Sequence, residues 1–182
     1  TNLPEPLHND WFQRERLSEI LCSALREWAK ADCAFLNAGL LLEGLPSGVV
    51  KKGDIHRICP HPINPCVIEI QGNELKEILL QSRNEEWPHL QVKGFGFRGK
   101  VMGTMLYDQI EFLQTTNGVV KQININGNKL QPHDMYKLVL PDMFTFGYFF
   151  PQIQRLKNKE YLMPEFLRDI LIWKLKKMYP DY

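Results

Sequence analysis

The sequence carries no excess of either charge and no long apolar run. Its 22 Lys and Arg offset 21 Asp and Glu, leaving +1 over 182 residues. Neither a nucleic-acid surface nor a membrane surface is therefore expected. No apolar stretch approaches the ~20 residues that cross a bilayer, and no secretory leader pattern is visible. Cysteine is sparse. Cys22, Cys33, Cys59 and Cys66 form no C-x-x-C and lie among apolar neighbours or beside proline. Buried free thiols are the expectation, which leans toward a cytoplasmic, reducing location; a zinc site or disulfides are the alternatives. The usual catalytic signatures are missing too. There is no P-loop, no G-x-G-x-x-G opening a helix and no G-x-S-x-G. Five histidines, His8, His56, His61, His89 and His133, are scattered without metal-ligand spacing. No cofactor or metal site is expected in this chain.

What remains is an ordinary globular composition, 44% hydrophobic and 24% charged. At this length it suits one domain with a self-sufficient core. Residues 1–10 are polar, carry two prolines and read as a linker, leaving 11–182 as the domain. Leu17, Ile20, Leu21, Ala24, Leu25 and Trp28 recur at three and four, which predicts a helix from Trp11 to Lys30 capped by Asp10. Apolar runs predict strands over 33–36, 66–70 and 136–140, and alternation predicts one over 119–125, with Asn117-Gly118 as a hairpin signal. Alternation predicts further strands over 90–97 and 105–113. Helices are expected over 74–82, with Asn73 as its cap, and from Pro164 to the basic end at Lys174, Lys176 and Lys177. The mixture is α+β, helices covering a mixed sheet.

The stretch from Asp32 to Gly72 organises the rest. An apolar run stops at Asn37-Ala38-Gly39. Turns follow through Gly44-Leu45-Pro46-Ser47-Gly48, then Gly53-Asp54-Ile55, then a proline-framed loop, Cys59-Pro60-His61-Pro62-Ile63-Asn64-Pro65. Two buried strands flanking Gly-, Pro- and Asn-rich loops make a place where backbone approaches a ligand closely. The order D-x-A-F-L-N-A-G, G-x-x-x-x-G-D-I, P-x-P-x-N-P, G-x-x-L resembles the C-terminal domain of the 5′-nucleotidase family. Leu90-Gln91-Val92-Lys93-Gly94 and Tyr136 to Pro141 match two of its strands. The likeness is strongest to a cytoplasmic branch of that family in Gram-positive bacteria.

The resemblance implies a layered α/β/β/α fold and a non-catalytic, substrate-recognition role. A nucleotide-like small molecule would be the ligand. An N-terminal metallophosphoesterase domain of the same polypeptide would hold divalent metals and do the hydrolysis. The D-x-H and G-N-H-E motifs of such a domain do not occur here, so this chain alone is expected to be inactive. The same resemblance points to Asn37 as a base contact and to His61, with Asn64 after it, at the first stacking position. Arg98, with Lys100 in Phe95-Gly96-Phe97-Arg98-Gly99-Lys100, offers a cation to an anion. Phe144 or Phe146 would supply an altered aromatic clamp. The sequence departs from the family at Leu42, where an arginine is expected, and at Leu40, Met143 and Phe149. Each assignment has a plainer counterpart: Asn37 as a turn residue, the His61 loop as a cover on the sheet edge, Arg98 at a solvated strand end. The crowded rings from Phe144 to Phe150 can equally form a hydrophobic lid or the contact surface of a protein-interaction module.

Overall fold

The computed structural model describes residues 1–180. In chain order the elements are β1 (Asn2–Leu3), α1 (Arg16–Ala29), β2 (Cys33–Asn37), β3 (Gly48–Val49), α2 (Lys52–Ile58), β4 (Pro65–Gln71), α3 (Gly72–Gln81), β5 (Met105–Asp108), β6 (Ile110–Gln114), β7 (Val120–Ile125), β8 (Asn128–Lys129), β9 (Met135–Pro141), α4 (Pro151–Arg155), β10 (Lys159–Tyr161) and α5 (Leu167–Met178). The class is α+β, as the sequence pattern predicts. The central sheet runs β10-β4-β9-β2-β5. It is mixed because β2 and β9 pair in parallel while the other neighbours are antiparallel. Every residue of β2 is buried, which accounts for its unbroken apolar run where a half-exposed strand would alternate. Smaller antiparallel sheets, β6-β7-β8 and β1-β3, complete the fold.

α1 lays its stripe of Leu17, Leu21, Ala24 and Leu25 into the core. α5 packs beside it with Leu167, Ile170, Leu171 and Leu175 buried. Trp28 and Trp173 meet edge to face at 5.2 Å, and Glu27 takes both Lys174 and Lys177. Those two ammonium groups hold its carboxyl below the usual range, chiefly through the Lys174 hydrogen bond.

Several expected boundaries move, each for a local reason. Residues 1–10, read from sequence as a linker, pack on the body: Leu3 and Leu7 are buried, β1 pairs with β3, and Leu7 bridges Leu45. α1 starts at Arg16, five residues later than the periodicity suggests. Asp10 spends its carboxylate on the Phe12 N–H, an Asx-type turn. The Trp11 carbonyl accepts from the Thr104 N–H, and its indole donates to the Leu41 carbonyl. Tertiary bonds thus draw residue 11 out of the helix. α3 begins at Gly72, with Gln71 rather than Asn73 at the cap position. The expected strand over 105–113 is two strands, broken at Gln109 with φ +58°. The expected strand over 90–97 is not a strand. Gly94, Phe95 and Gly96 all have positive φ, which an extended chain does not allow.

Candidate functional site

Three loops meet beyond the end of β2. The first follows Asn37, whose amide is fully buried. Its Nδ2 donates to the Met102 carbonyl at 2.8 Å, while its Oδ1 is buried without a partner. Gly39 lies under the same passing chain. A Cβ there would sit 2.0 Å from the Val101 carbonyl oxygen, so only glycine fits. The observed contacts make Asn37 a tie between β2 and segment 101–103. Leu42 donates its N–H to the Ile58 carbonyl.

The second loop carries His61, which is completely buried. Its Nε2 lies 2.8 Å from the Leu40 carbonyl oxygen. A carbonyl only accepts, so Nε2 bears the proton. Nδ1 accepts the Arg98 N–H at 2.8 Å. The ring is neutral, and burial pushes its pKa down to about 4, with the Arg168 and Arg98 charges acting in the same direction against the Leu40 bond. Its face is taken as well: it stacks on Phe97 at 5.1 Å, 3° from parallel. His61 was expected to stack on a ligand. Here it stacks inside the protein, because both nitrogens and one face already have partners. Asn64 is likewise engaged, Nδ2 donating to the Glu165 carbonyl. Its main chain pairs with Asp142 in both directions: Asn64 N–H to the Asp142 carboxylate and Asp142 N–H to the Asn64 carbonyl. Burial pushes the Asp142 carboxyl up to about 6, against the Asn64 and Met143 N–H donors that pull it down.

The third loop, 142–150, divides the aromatics expected to act together. Phe144, Phe149 and Phe150 turn inward. Phe144 lies edge-on to Phe35 of β2 at 5.6 Å and to Phe149 and Phe150 at 5.5 Å. Phe144 is therefore core, not clamp. Phe146 and Tyr148 turn outward, 46% and 67% exposed. Both meet Phe95, which stacks on Phe146 at 5.9 Å and 14° and lies 5.6 Å from Tyr148. Arg98, three residues after Phe95 in the chain, is exposed, with no ion pair among the described residues. Phe95 escaped the sequence-based site assignment. Its signal was a phenylalanine set between two glycines.

The structure so brings Asn37, His61, Asn64 and Arg98 to one junction, the first three as internal ties and Arg98 free. Phe146 lies on the same rim, and Phe144 beneath it. Among the described residues no group of three or more His, Cys, Asp or Glu converges as metal ligands would. All four cysteines are free and buried. Burial raises Cys59 and Cys66 to about 12 and also raises Cys22 and Cys33, so none is a ready nucleophile. Clefts lie elsewhere, among them one of about 640 Å³ lined by Arg14, Arg83, Tyr107 and Phe112 and one of about 540 Å³ between α3 and β7.

The geometry is a junction of buried loops at the end of a mixed sheet, with an aromatic rim. The chain belongs to the family of 5′-nucleotidase C-terminal domains, whose sequence profile matches residues 3–148. It is 44% identical over 169 residues to an uncharacterised metallophosphoesterase, YunD, of Bacillus subtilis, a match spanning 91% of this chain and 37% of that protein. The fold is shared with a 5′-nucleotidase precursor of Thermus thermophilus (TM-score 0.74, 13% identity, 98% of this chain and 36% of that one). It is shared too with the NAD nucleotidase of Haemophilus influenzae (TM-score 0.65, 12% identity, 88% of this chain and 30% of that one). The chain thus spans about a third of the length of these relatives.

Proposed function

We propose that this chain is the substrate-recognition domain of a bacterial, cytoplasmic metallophosphoesterase that hydrolyses a nucleotide or related phosphoester. The observation that carries the reading is the aromatic rim of Phe95, Phe146 and Tyr148, set where three loops of this family's fold meet and flanked by Arg98. Surface rings, with the unpaired Arg98 three residues after Phe95, suit a planar group bearing negative charge. Among the described residues no cluster of His, Cys, Asp or Glu forms a metal centre. The divalent metals and activated water belong to the remaining part of the polypeptide, as the likeness to a metallophosphoesterase supports. This domain's own contribution is to hold and orient the ligand.

Calorimetric titration of the isolated chain with adenosine, AMP and ribose 5-phosphate tests the reading. With Leu42 and Phe149 where the family carries polar residues, affinity is expected near millimolar, about −4 kcal/mol. No heat from any of the three would remove the recognition role. A second reading, a protein-interaction module, draws on the exposure of Phe146 and Tyr148. It gains if Phe146→Ala leaves all three titrations unchanged.

A further inference from the structure

Helix α3 and the small sheet β6-β7-β8 do not close fully on each other. A cleft of about 540 Å³ remains between them, within the range of about 300–1,000 Å³ that takes small ligands. Its apolar lining is Leu80 on α3, Ile123 on β7 and Leu130 just after β8. Ile123 and Leu130 are buried, while Leu80 is 40% exposed. The apolar surface of the core thus runs out into the cleft along Leu80 and stays uncovered there. At the start of α3 the walls are tied together. The Gly72 and Asn73 N–H groups donate to the Asp134 and Pro132 carbonyls, each at 2.9 Å. A Cβ on Gly72 would lie 1.9 Å from the Gln131 carbonyl oxygen, so the chain crosses there only over glycine. The Leu130 N–H donates to the Ile123 carbonyl at 2.9 Å, fixing the same segment to β7. The cleft is therefore preformed and closed at one end.

Its charge is one-sided. Lys76 of α3, Lys121 of β7 and Lys129 of β8 line it, against Glu77 alone among the described residues. All three lysines are exposed. The lysines held in ion pairs among the described residues are others: Lys137, Lys174 and Lys177. The chain as a whole is near neutral, at +1, so three lysines against one glutamate are a local excess. Like charges around a cleft with apolar walls reinforce one another's field, and an anion seated among them relieves their repulsion. Lysine stems lie along apolar surface while their ammonium groups stay in water, so a basic rim and an apolar floor coexist. The larger cleft, lined by Arg14 and Arg83, also carries Glu85 and Glu111 and has no such excess.

We propose that the cleft between α3 and β7 binds a small amphipathic anion. Its short acyl or alkyl chain lies on Leu80, Ile123 and Leu130, and its carboxylate, sulfate or phosphate head meets Lys76, Lys121 and Lys129. The closed end at residues 130–132 suits a chain that stops there rather than a polypeptide passing through. An inorganic anion would leave Leu80 wet, and a neutral hydrocarbon would leave the ammonium groups without a partner. The cleft shares no lining residue with the junction of Asn37, His61, Asn64 and Arg98. The nucleotide titrations described above can therefore fail while this site holds, and the reverse.

The test is titration of the chain with octanoate, read from amide chemical shifts, with acetate as the head alone and octanol as the tail alone. Shifts should centre on Lys76, Leu80, Lys121 and Leu130. Octanoate should bind at least about tenfold more tightly than acetate, a factor that two buried methylene groups supply. It should also bind severalfold more tightly than octanol. Lys121→Glu should weaken octanoate about fivefold, the upper end for one exposed charge. Leu80→Gln should remove most of the advantage over acetate. Both positions are exposed, so the fold should survive, and the wild-type shift map decides without either variant. Octanoate no tighter than acetate, octanol as tight as octanoate, or shifts centred outside the cleft would each overturn the proposal. The chain should not sediment with phosphatidylglycerol vesicles. Retention on them that Lys121→Glu abolishes would make the occupant a lipid surface and overturn the proposal as well.

Discussion

Two loops reach the aromatic rim, and opposite forces hold them. Residues 59–65 are fixed by polar bonds: both His61 nitrogens, the Asn64 amide, and the Arg168 guanidinium on the His61 carbonyl. Residues 94–97 are held by ring contacts and one backbone bond, over a strained φ. A buried polar network loses much when any member is removed, because each orphaned group stays desolvated. A half-exposed ring stack orphans no polar group when it is cut back. The first loop is thus a platform tied by polar bonds and the second is held by ring packing, although both lie beside the same histidine.

The largest effect should come from the inward half of the aromatic segment. Phe144→Ala empties a fully buried position between Phe35 and Phe150 and should cost about 3–5 kcal/mol in urea unfolding. Phe146→Ala, two residues on, should stay within about 0.5 kcal/mol. Equal costs would erase the division between core and rim.

Next comes the platform. His61→Leu keeps apolar bulk but leaves the Leu40 carbonyl and the Arg98 N–H unpaired. At about 1–3 kcal/mol per orphaned buried group, the loss should be clear. It should also loosen segment 97–98, read as faster hydrogen exchange at the Arg98 amide. A variant as stable as wild type would show that the ring is not the fastener described.

The pH dependence separates two groups in that platform. His61 has its folded pKa lowered from 6.5 to about 4. Its unfolded form binds protons more readily, so the stability it contributes is complete above pH 6.5 and lost as pH falls toward 4. Asp142 has its folded pKa raised from 3.8 to about 6. Its contribution is present below pH 3.8 and lost as pH rises through 6. The two slopes oppose each other across the shared window. Asp142→Asn removes one of them, so stability should fall more steeply from pH 6.5 to 4 than in wild type. A shallower fall would reverse the assigned signs.

The sequence foretold the elements whose signal is local. The stripe on α1 and the apolar runs of β2, β4 and β9 predict themselves, because burial of a face imposes a period. The order of Gly-, Pro- and Asn-rich turns sufficed to recognise the family. The losses came where tertiary bonds overrode pattern. Trp11 gives its carbonyl and indole to distant chain. Leu3 and Leu7 are two apolar residues in a polar decapeptide, too few to announce a packed strand. Alternation over 90–97 suggested a strand because a period of two cannot report positive φ. His61 looked available because sequence does not show that Leu40 and Arg98 come to meet it. Phe144 and Phe146 looked alike until the 3-10 turn over Asp142–Thr145 sent one inward and the other out.

The smallest expected effect is none at all, and it also bears on the platform. A dinuclear phosphoesterase centre needs several carboxylate, imidazole and amide ligands on one spot, with a metal-bound water of lowered pKa. The loop's one imidazole has a proton committed to Leu40 and a lone pair committed to Arg98. Binding a metal through Nδ1 would break the Arg98 tie, and binding through Nε2 would strand the Leu40 carbonyl. The purified chain with manganese, zinc or magnesium should therefore release no phosphate above buffer from AMP or p-nitrophenyl phosphate. Its melting temperature should not rise on adding any of the three metals. Phosphate release that co-purifies with the chain and stops with EDTA would overturn this. The exposed His56, and Asp54 two residues before it on α2, would then be the first ligands to replace.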